Sequence, residues 1–166
     1  MLRMISSLWA RTEGSALVEA TVLAPVLFVL VFGVFDFSWY FYNQQLVEIG
    51  VRDAARYLAV ASSNPCSDSS LLTNAKNLAT TGSIGGSAPK RVNGWNPADV
   101  IIPCPSGFDV PNPSLTYNGG STIYIVYVTT TFADPTLGFF TLLNNMGVNV
   151  GVPNISASHK ERAIGE

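Results

Sequence analysis

The chain has little charge. Only 12% of its 166 residues are Asp, Glu, Lys or Arg, and 48% are apolar, against roughly a quarter charged in an average soluble domain. Nine Lys and Arg oppose eleven Asp and Glu for a formal net charge of −2, so there is no basic surface to neutralise phosphates, and no nucleic-acid partner is expected. One His and two Cys are too few for a four-ligand Cys/His zinc cage, and no cofactor or metal is expected. P-loop, dinucleotide and nucleophile-elbow motifs are absent from the sequence. His159 stands among Ser156, Ser158, Lys160 and Glu161, a polar setting that reads as an exposed imidazole rather than a base or ligand. The sequence therefore reads as non-enzymatic. A membrane-tethered envelope enzyme or ligand-binding domain would require a pocket with convergent polar groups.

What is present is apolar and unevenly spread. Ala20 to Phe35 carries no charge, and the apolar run resumes past Asp36 through Trp39, Tyr40, Phe41 and Tyr42. Glu19 and Asp36 bracket a segment of roughly 25 Å at the helical rise, slightly under the hydrocarbon thickness of a bilayer. Trp39, Tyr40 and Tyr42 fit the outer aromatic belt, and Arg3 and Arg11 place the N-terminus in the cytoplasm by the positive-inside bias. The C-terminal bulk then faces the periplasm or exterior. A secretory signal cut after Ala59-Val60-Ala61 does not fit, because a cleavage site follows its apolar core closely. A lipoprotein signal fails as well, since Ser63-Asn64-Pro65 precedes Cys66. A signal anchor and a leader cut on the cytoplasmic side both keep the helix.

Within that helix Ala16, Ala20 and Ala24 recur every fourth residue and form a ridge that permits close helix approach. Pro25 cannot donate to the carbonyl of Thr21, so a kink or loosened turn is expected there. Val47, Val51, Ala54, Leu58 and Ala61 continue one apolar face, with Glu48, Arg52 and Arg56 on another. A continuous helix from Ser15 to Ala61 would be on the order of 70 Å long, so less than half lies in lipid and the rest is a stem.

From Ser62 the composition turns to Ser, Thr, Asn, Gly and Pro, the signature of a loop-rich α+β head. A short helix is expected over Ser67 to Thr80, a loop over Gly82 to Pro97 and a short strand at Val100 to Ile102. The strongest strand signal is Thr122 to Phe132, with both faces read as buried or half-buried. A helix over Pro135 to Asn144 and a last strand over Val148 to Ser158, interrupted at Pro153, complete an antiparallel sheet of about three strands. Trp95, Phe108, Tyr117 and the Phe139-Phe140 pair read either as core or as adhesive and subunit contacts. Cys66 and Cys104 both fall on the outward side, where a disulfide persists. Closing a loop of about 38 residues would contribute roughly 4 kcal/mol in the chain-entropy model. Two buried free thiols are the alternative.

The N-terminal stretch carries a resemblance. Arg11-Thr12-Glu13-Gly14-Ser15-Ala16-Leu17-Val18-Glu19 is a short basic leader followed by Gly and, five places on, an acid at the start of the apolar helix, similar to a class III prepilin signal. More narrowly, GSALVEATVLAPVLFVLVFGVFDF followed by QQLVEIGVRDAARYLAV, from Gly14 to Val60, resembles the TadE-like family of the tight-adherence (Flp) pilus machinery. Gly14, Val18-Glu19, Pro25, Gly33, Asp36 and Ala54-Ala55-Arg56-Tyr57 carry the likeness. Ala20 stands where an aromatic commonly follows the acid. The resemblance implies a pilin-like fold with a long N-terminal transmembrane and stem helix and a small antiparallel-sheet head. It implies cleavage between Gly14 and Ser15 by a prepilin peptidase, with other pilin or pseudopilin subunits, the assembly platform and the membrane as further partners. The organisation is then a leader over 1–14, a transmembrane helix over 15–42, a stem extension over 43–61 and a head over 62–166. The expected function is that of a minor pilin or pseudopilin, held in a bacterial inner membrane before assembly into an initiating or tip complex. Glu19 would pair with the new α-ammonium of a neighbouring subunit, since unpaired charges in a membrane or dry bundle are costly. The alternative is an uncleaved bitopic subunit of the same apparatus, with Glu19 reaching the cytoplasmic headgroups.

Overall fold

The computed structural model describes residues 12–61, 66, 68–103, 108–109, 122–123 and 125–164. Its first element is a helix of 50 residues, α1 (Thr12–Ala61), which begins three residues before the expected start. The chain separates into two compact units, Met1–Ser38 and Trp39–Glu166.

In the first unit the large apolar side chains of α1 are exposed. Leu17, Val18, Val22, Leu23, Val26, Leu27, Leu30 and Phe35 are all exposed, and the 18-residue window of highest mean hydropathy, 2.4, has none of its residues buried. The hydroxyls in this run are satisfied within the helix. Thr21 Oγ1 donates to Leu17 O and Ser38 Oγ donates to Val34 O, each at 2.8 Å, which leaves neither hydroxyl proton without an acceptor. Pro25 lies inside α1, and the helix continues through it.

The second unit takes its core from the outer half of α1, one further helix and a sheet. Val47, Val51, Ala54, Ala55, Leu58 and Ala59 of α1 are buried in one cluster with Ala75, Ala79, Trp95, Val100, Val126, Val128 and Ile155. The expected face is present, except that Ala61 is exposed and Ala55 and Ala59 widen the stripe. Glu48 and Arg52 form the exposed i,i+4 ion pair at 3.4 Å. The second helix, α2 (Ser69–Thr81), is bounded by two local devices. The Asp68 side chain accepts from Ser70 N at 2.7 Å, and Gly82, at φ +75°, closes the C-terminus by donating to Leu78 O at 2.9 Å.

A three-stranded antiparallel sheet, in the order β1 (Val100–Ile101), β4 (Ile125–Ala133), β5 (Asn154–Arg162), follows a 3₁₀ turn at Pro97–Asp99. A separate two-stranded ribbon pairs β2 (Phe108–Asp109) with β3 (Thr122–Ile123). The single strand expected over Thr122 to Phe132 is thus two strands serving different sheets. The expectation of two covered faces is also corrected. Val126, Val128, Thr130 and Phe132 are buried, whereas Ile125, Thr131 and Ala133 are exposed and Tyr127 and Thr129 only half-buried. Core packing covers one face of the sheet, as an antiparallel sheet permits.

The last strand shifts as well. Val148 to Pro153 is not strand, and β5 starts only after Pro153, which has no N–H for a ladder. It then runs through His159, Lys160, Glu161 and Arg162, every residue paired with β4 from Asn154 opposite Ala133 to Arg162 opposite Ile125. His159 is half-buried within that ladder rather than in an exposed tail, with Nε2 3.7 Å from Glu161 Oε2. Between β4 and β5 lies α3 (Gly138–Asn145), which starts three residues later than expected. Asp134 Oδ1 accepts from Thr136 N at 2.9 Å and so folds Asp134 to Thr136 into an Asx turn ahead of the helix.

Candidate functional site

Two regions carry the residues that bear on function. The first is the start of α1. Gly14 and Ser15 fall in its first turn, while Arg3 and Arg11 lie outside the described residues. Glu19, Ala16 and Ala20 are exposed and Ala24 is half-buried, and Asp36 at the other end of the apolar run is half-buried. Gly33 has open space where a Cβ would stand. This surface can do one kind of work: cover itself with lipid or with other helices. Its carboxylate at Glu19 is available to a cation supplied from outside the chain.

The second region, wholly within Trp39–Glu166, is where α1 is tied to the head. Asn43, 4% exposed, donates from Nδ2 to Asp134 Oδ2 at 2.7 Å, and Asp134 is itself 2% exposed. The Thr136 hydroxyl donates to Asp134 Oδ1 and accepts from Trp39 Nε1 at 2.8 Å. Tyr40 Oη donates to Asn154 O at 3.2 Å and Gln44 Nε2 to Ser156 O at 2.8 Å. The buried Asp134 carboxylate accepts from Asn43 on α1 at one oxygen and from Thr136 at the other, so it is compensated by hydrogen bonds. The sequence reading assigned Trp39 and Tyr40 to a membrane belt and gave Asn43, Gln44, Asp134 and Thr136 no role. The apolar period of α1 had no way to single them out.

Further along, Gly50 permits a close approach. A Cβ there would stand 2.4 Å from Ala79 O and 2.7 Å from Trp95 Cη2. Trp95 is fully buried, stacks on Phe132 at 6.0 Å between centroids and donates from Nε1 to Thr130 Oγ1 at 3.0 Å. It is therefore core, the first of the two readings given above. Phe139 and Phe140 are half-buried in α3, Phe108 lies in β2 and Tyr117 falls outside the described residues. Cys66 is half-buried and disulfide-bonded, and Cys104 lies outside the described residues.

A groove of about 450 Å³ lies open between α1 and α2, lined by Asp53, Arg56, Tyr57, Val60, Ala61 and Leu78. Its one carboxylate, Asp53, is bonded to Arg91 at 2.6 Å, so the groove brings no acid pair or nucleophile–base couple together. Among the described residues no group of three or more His, Cys, Asp or Glu could hold a metal ion.

Residues 14–56 match the family model for TadE-like protein. No curated protein and no solved structure matches the chain. The TadE-like segment holds Glu19, Pro25, Gly33 and Asp36, and also Trp39, Asn43 and Gly50, so it spans the exposed apolar helix and the residues of α1 that receive the head. The match covers about a quarter of the chain, and α1 is long and apolar enough to cross a membrane.

Proposed function

We propose that this chain is a non-catalytic minor pilin or pseudopilin that acts in assembly of a tight-adherence pilus, in an initiating or tip complex. The observation that carries the reading is the TadE-like match over a helix whose large apolar side chains from Leu17 to Phe35 are exposed. The N-terminus faces the cytoplasm and the head faces the periplasm or exterior. Prepilin peptidase cuts between Gly14 and Ser15, and the mature chain begins with an α-ammonium four residues from Glu19. Glu19 then takes the α-ammonium of a neighbouring subunit as α1 helices pack side by side, which neutralises two charges that lipid would penalise. Ala16, Ala20 and Ala24 let those helices approach, and Pro25 loosens the backbone beside them. A head of about 100 residues exceeds what a short filament-forming pilin needs, which favours a minor subunit. A Cys66–Cys104 bridge closes the outward-facing part of the head.

Glu19 provides the test. Glu19→Gln and Glu19→Ala are expected to leave membrane insertion and head folding unchanged and to abolish recovery of the chain with sheared filaments, with Glu19→Asp recovering part of it. Unchanged recovery of the Glu19→Ala chain contradicts the charge-pairing mechanism.

A further inference from the structure

The position of α3 in the head gives it a role that the TadE-like segment does not cover. Four hydrogen bonds between α1 and the rest of its unit establish direction. Trp39 Nε1 donates to Thr136 Oγ1, Tyr40 Oη to Asn154 O and Gln44 Nε2 to Ser156 O, while Ile164 N donates to Ala59 O at 2.7 Å. The chain therefore enters β5 beside Tyr40 and leaves it beside Ala59, about 28 Å further along α1 at the helical rise. The whole β4–β5 connection, from Asp134 to Pro153, is held at the Trp39 end of the head. Trp39 is covalently the first residue after the apolar segment of α1.

That connection has the composition of an interfacial element. From Pro135 to Ser158 there is no Asp, Glu, Lys or Arg. No residue of α3 is buried. Phe139, Leu142 and Met146 follow one another at i, i+3 and i+7 and so share a face, with Leu142 and Met146 exposed, the latter by 70%. Val148 extends the patch and is exposed too. Buried Leu137 anchors the segment from below. The presentation is built: Met146 N donates to Leu142 O at 3.0 Å, Val148 N to Leu143 O at 3.0 Å and Val150 N to Asn144 Oδ1 at 2.9 Å. Gly147, at φ +85°, makes the reversal that a side chain would strain. On α1, Trp39, which bonds Thr136 ahead of α3, and Phe41 and Tyr42 after it in the chain are exposed aromatics of the kind that settle at headgroup depth.

We propose that the face of α3 formed by Phe139, Leu142 and Met146, with Val148, lies in the outer membrane-water boundary of the bilayer that α1 crosses, as a second, monotopic membrane contact of the head. The proposal rests on the reading of α1 as membrane-spanning. The patch is uncharged and lies at the end of its unit held to Trp39, the residue that follows the apolar segment in the chain, so the bilayer is its occupant. Because the segment is uncharged, the contact is apolar and independent of anionic headgroups. It gives the head a second hold on the bilayer while the subunit waits in the membrane.

The test places a benzophenone side chain, one site at a time, at Phe28, Met146 and Ile164 of the full chain reconstituted in phosphatidylcholine vesicles. Lipid adducts are read by mass after irradiation. All three positions are exposed, so none of the changes disturbs the core. Phe28 reports the span itself and Ile164 the opposite end of β5. The expected result is lipid adduct at Met146 of the same order as at Phe28 and on the order of tenfold above Ile164, as for a helix lying in the interface, unchanged when phosphatidylglycerol is added. Adduct at Phe28 with none at Met146 overturns the proposal while leaving the membrane span intact. Cross-linking of Met146 to a second copy of the chain also overturns it and assigns the face to a subunit contact. Absence of adduct at Phe28 overturns the membrane reading itself.

Discussion

Asn43 on the stem helix and Asp134 at the end of β4, ninety-one positions apart in the chain, meet across 2.7 Å with both residues buried. Through Thr136 the same carboxylate is linked to Trp39. This cluster makes Trp39 and Asn43, at the start of the head unit, part of the head's own fold.

Asp134→Ala strips the Asn43 amide and the Thr136 N–H and hydroxyl of their acceptor in a buried setting, and is expected to destabilise the head by about 2–3 kcal/mol. Trp39→Phe removes only the indole donor at a half-exposed site and is expected to cost about 0.5–1 kcal/mol. Denaturant melts of the detergent-solubilised protein, followed by a probe of head structure, distinguish the two. Equal effects contradict the assignment of the anchor to the carboxylate.

Two helical glycines are expected to behave oppositely. Gly50→Ala puts a methyl against Ala79 O and the Trp95 ring, forcing α2 or Trp95 to shift at a cost of about 1–3 kcal/mol. Gly33→Ala meets nothing within 4 Å and leaves the melt of the head unchanged. If Gly33→Ala nonetheless lowers recovery with filaments, the loss comes from packing between chains.

Trp95 holds the core between Phe132 and Gly50. Trp95→Ala is expected to cost about 3–5 kcal/mol. Trp95→Phe keeps the ring stack and gives up the hydrogen bond to Thr130, for a loss of about 1 kcal/mol plus the unfilled indole volume. Thermal unfolding of the two variants against the parent checks the order.

Asp68 gives α2 a pH dependence. Hydrogen bonds from the Ser70 side chain and backbone hold its carboxyl below the ordinary value of 3.8. The ionised cap therefore contributes its full stabilisation above that ordinary value and loses it as pH falls through the lowered one. Amide exchange in the first turn of α2 is expected to quicken over that acidic window in the parent and to show no such step in Asp68→Asn.

The stem, the capped helix α2 and the three-stranded sheet were legible because each rests on local signals. These are apolar spacing in α1, capping residues and apolar spacing in α2, and β-branched density in β4. The TadE-like character was legible from Gly14 to Val60 for the same reason, and the family model matches 14–56. What escaped depends on partners distant in sequence. Nothing local distinguishes Asn43 or Asp134 from a solvated polar residue until the fold places them together. Gly50 fits a helix pattern as well as any small residue, and its need for space exists only once Ala79 and Trp95 arrive. The expected last strand ended at Ser158, short of His159-Lys160-Glu161-Arg162, yet only one face of β5 meets the core, so its charges are compatible with a strand. The division of the expected strand into β3 and β4 reflects their membership of two different sheets and leaves no mark on β propensity.

The central claim is that this is a processed pilin-like subunit, and the N-terminal residue of the membrane-extracted protein, read by intact mass with and without a coexpressed prepilin peptidase, tests it most directly. The account predicts a peptidase-dependent start at Ser15, with a non-reduced mass two hydrogens below that of the free dithiol. A start at Met1 in the presence of the active peptidase would contradict it and leave an uncleaved, membrane-anchored subunit of the pilus apparatus.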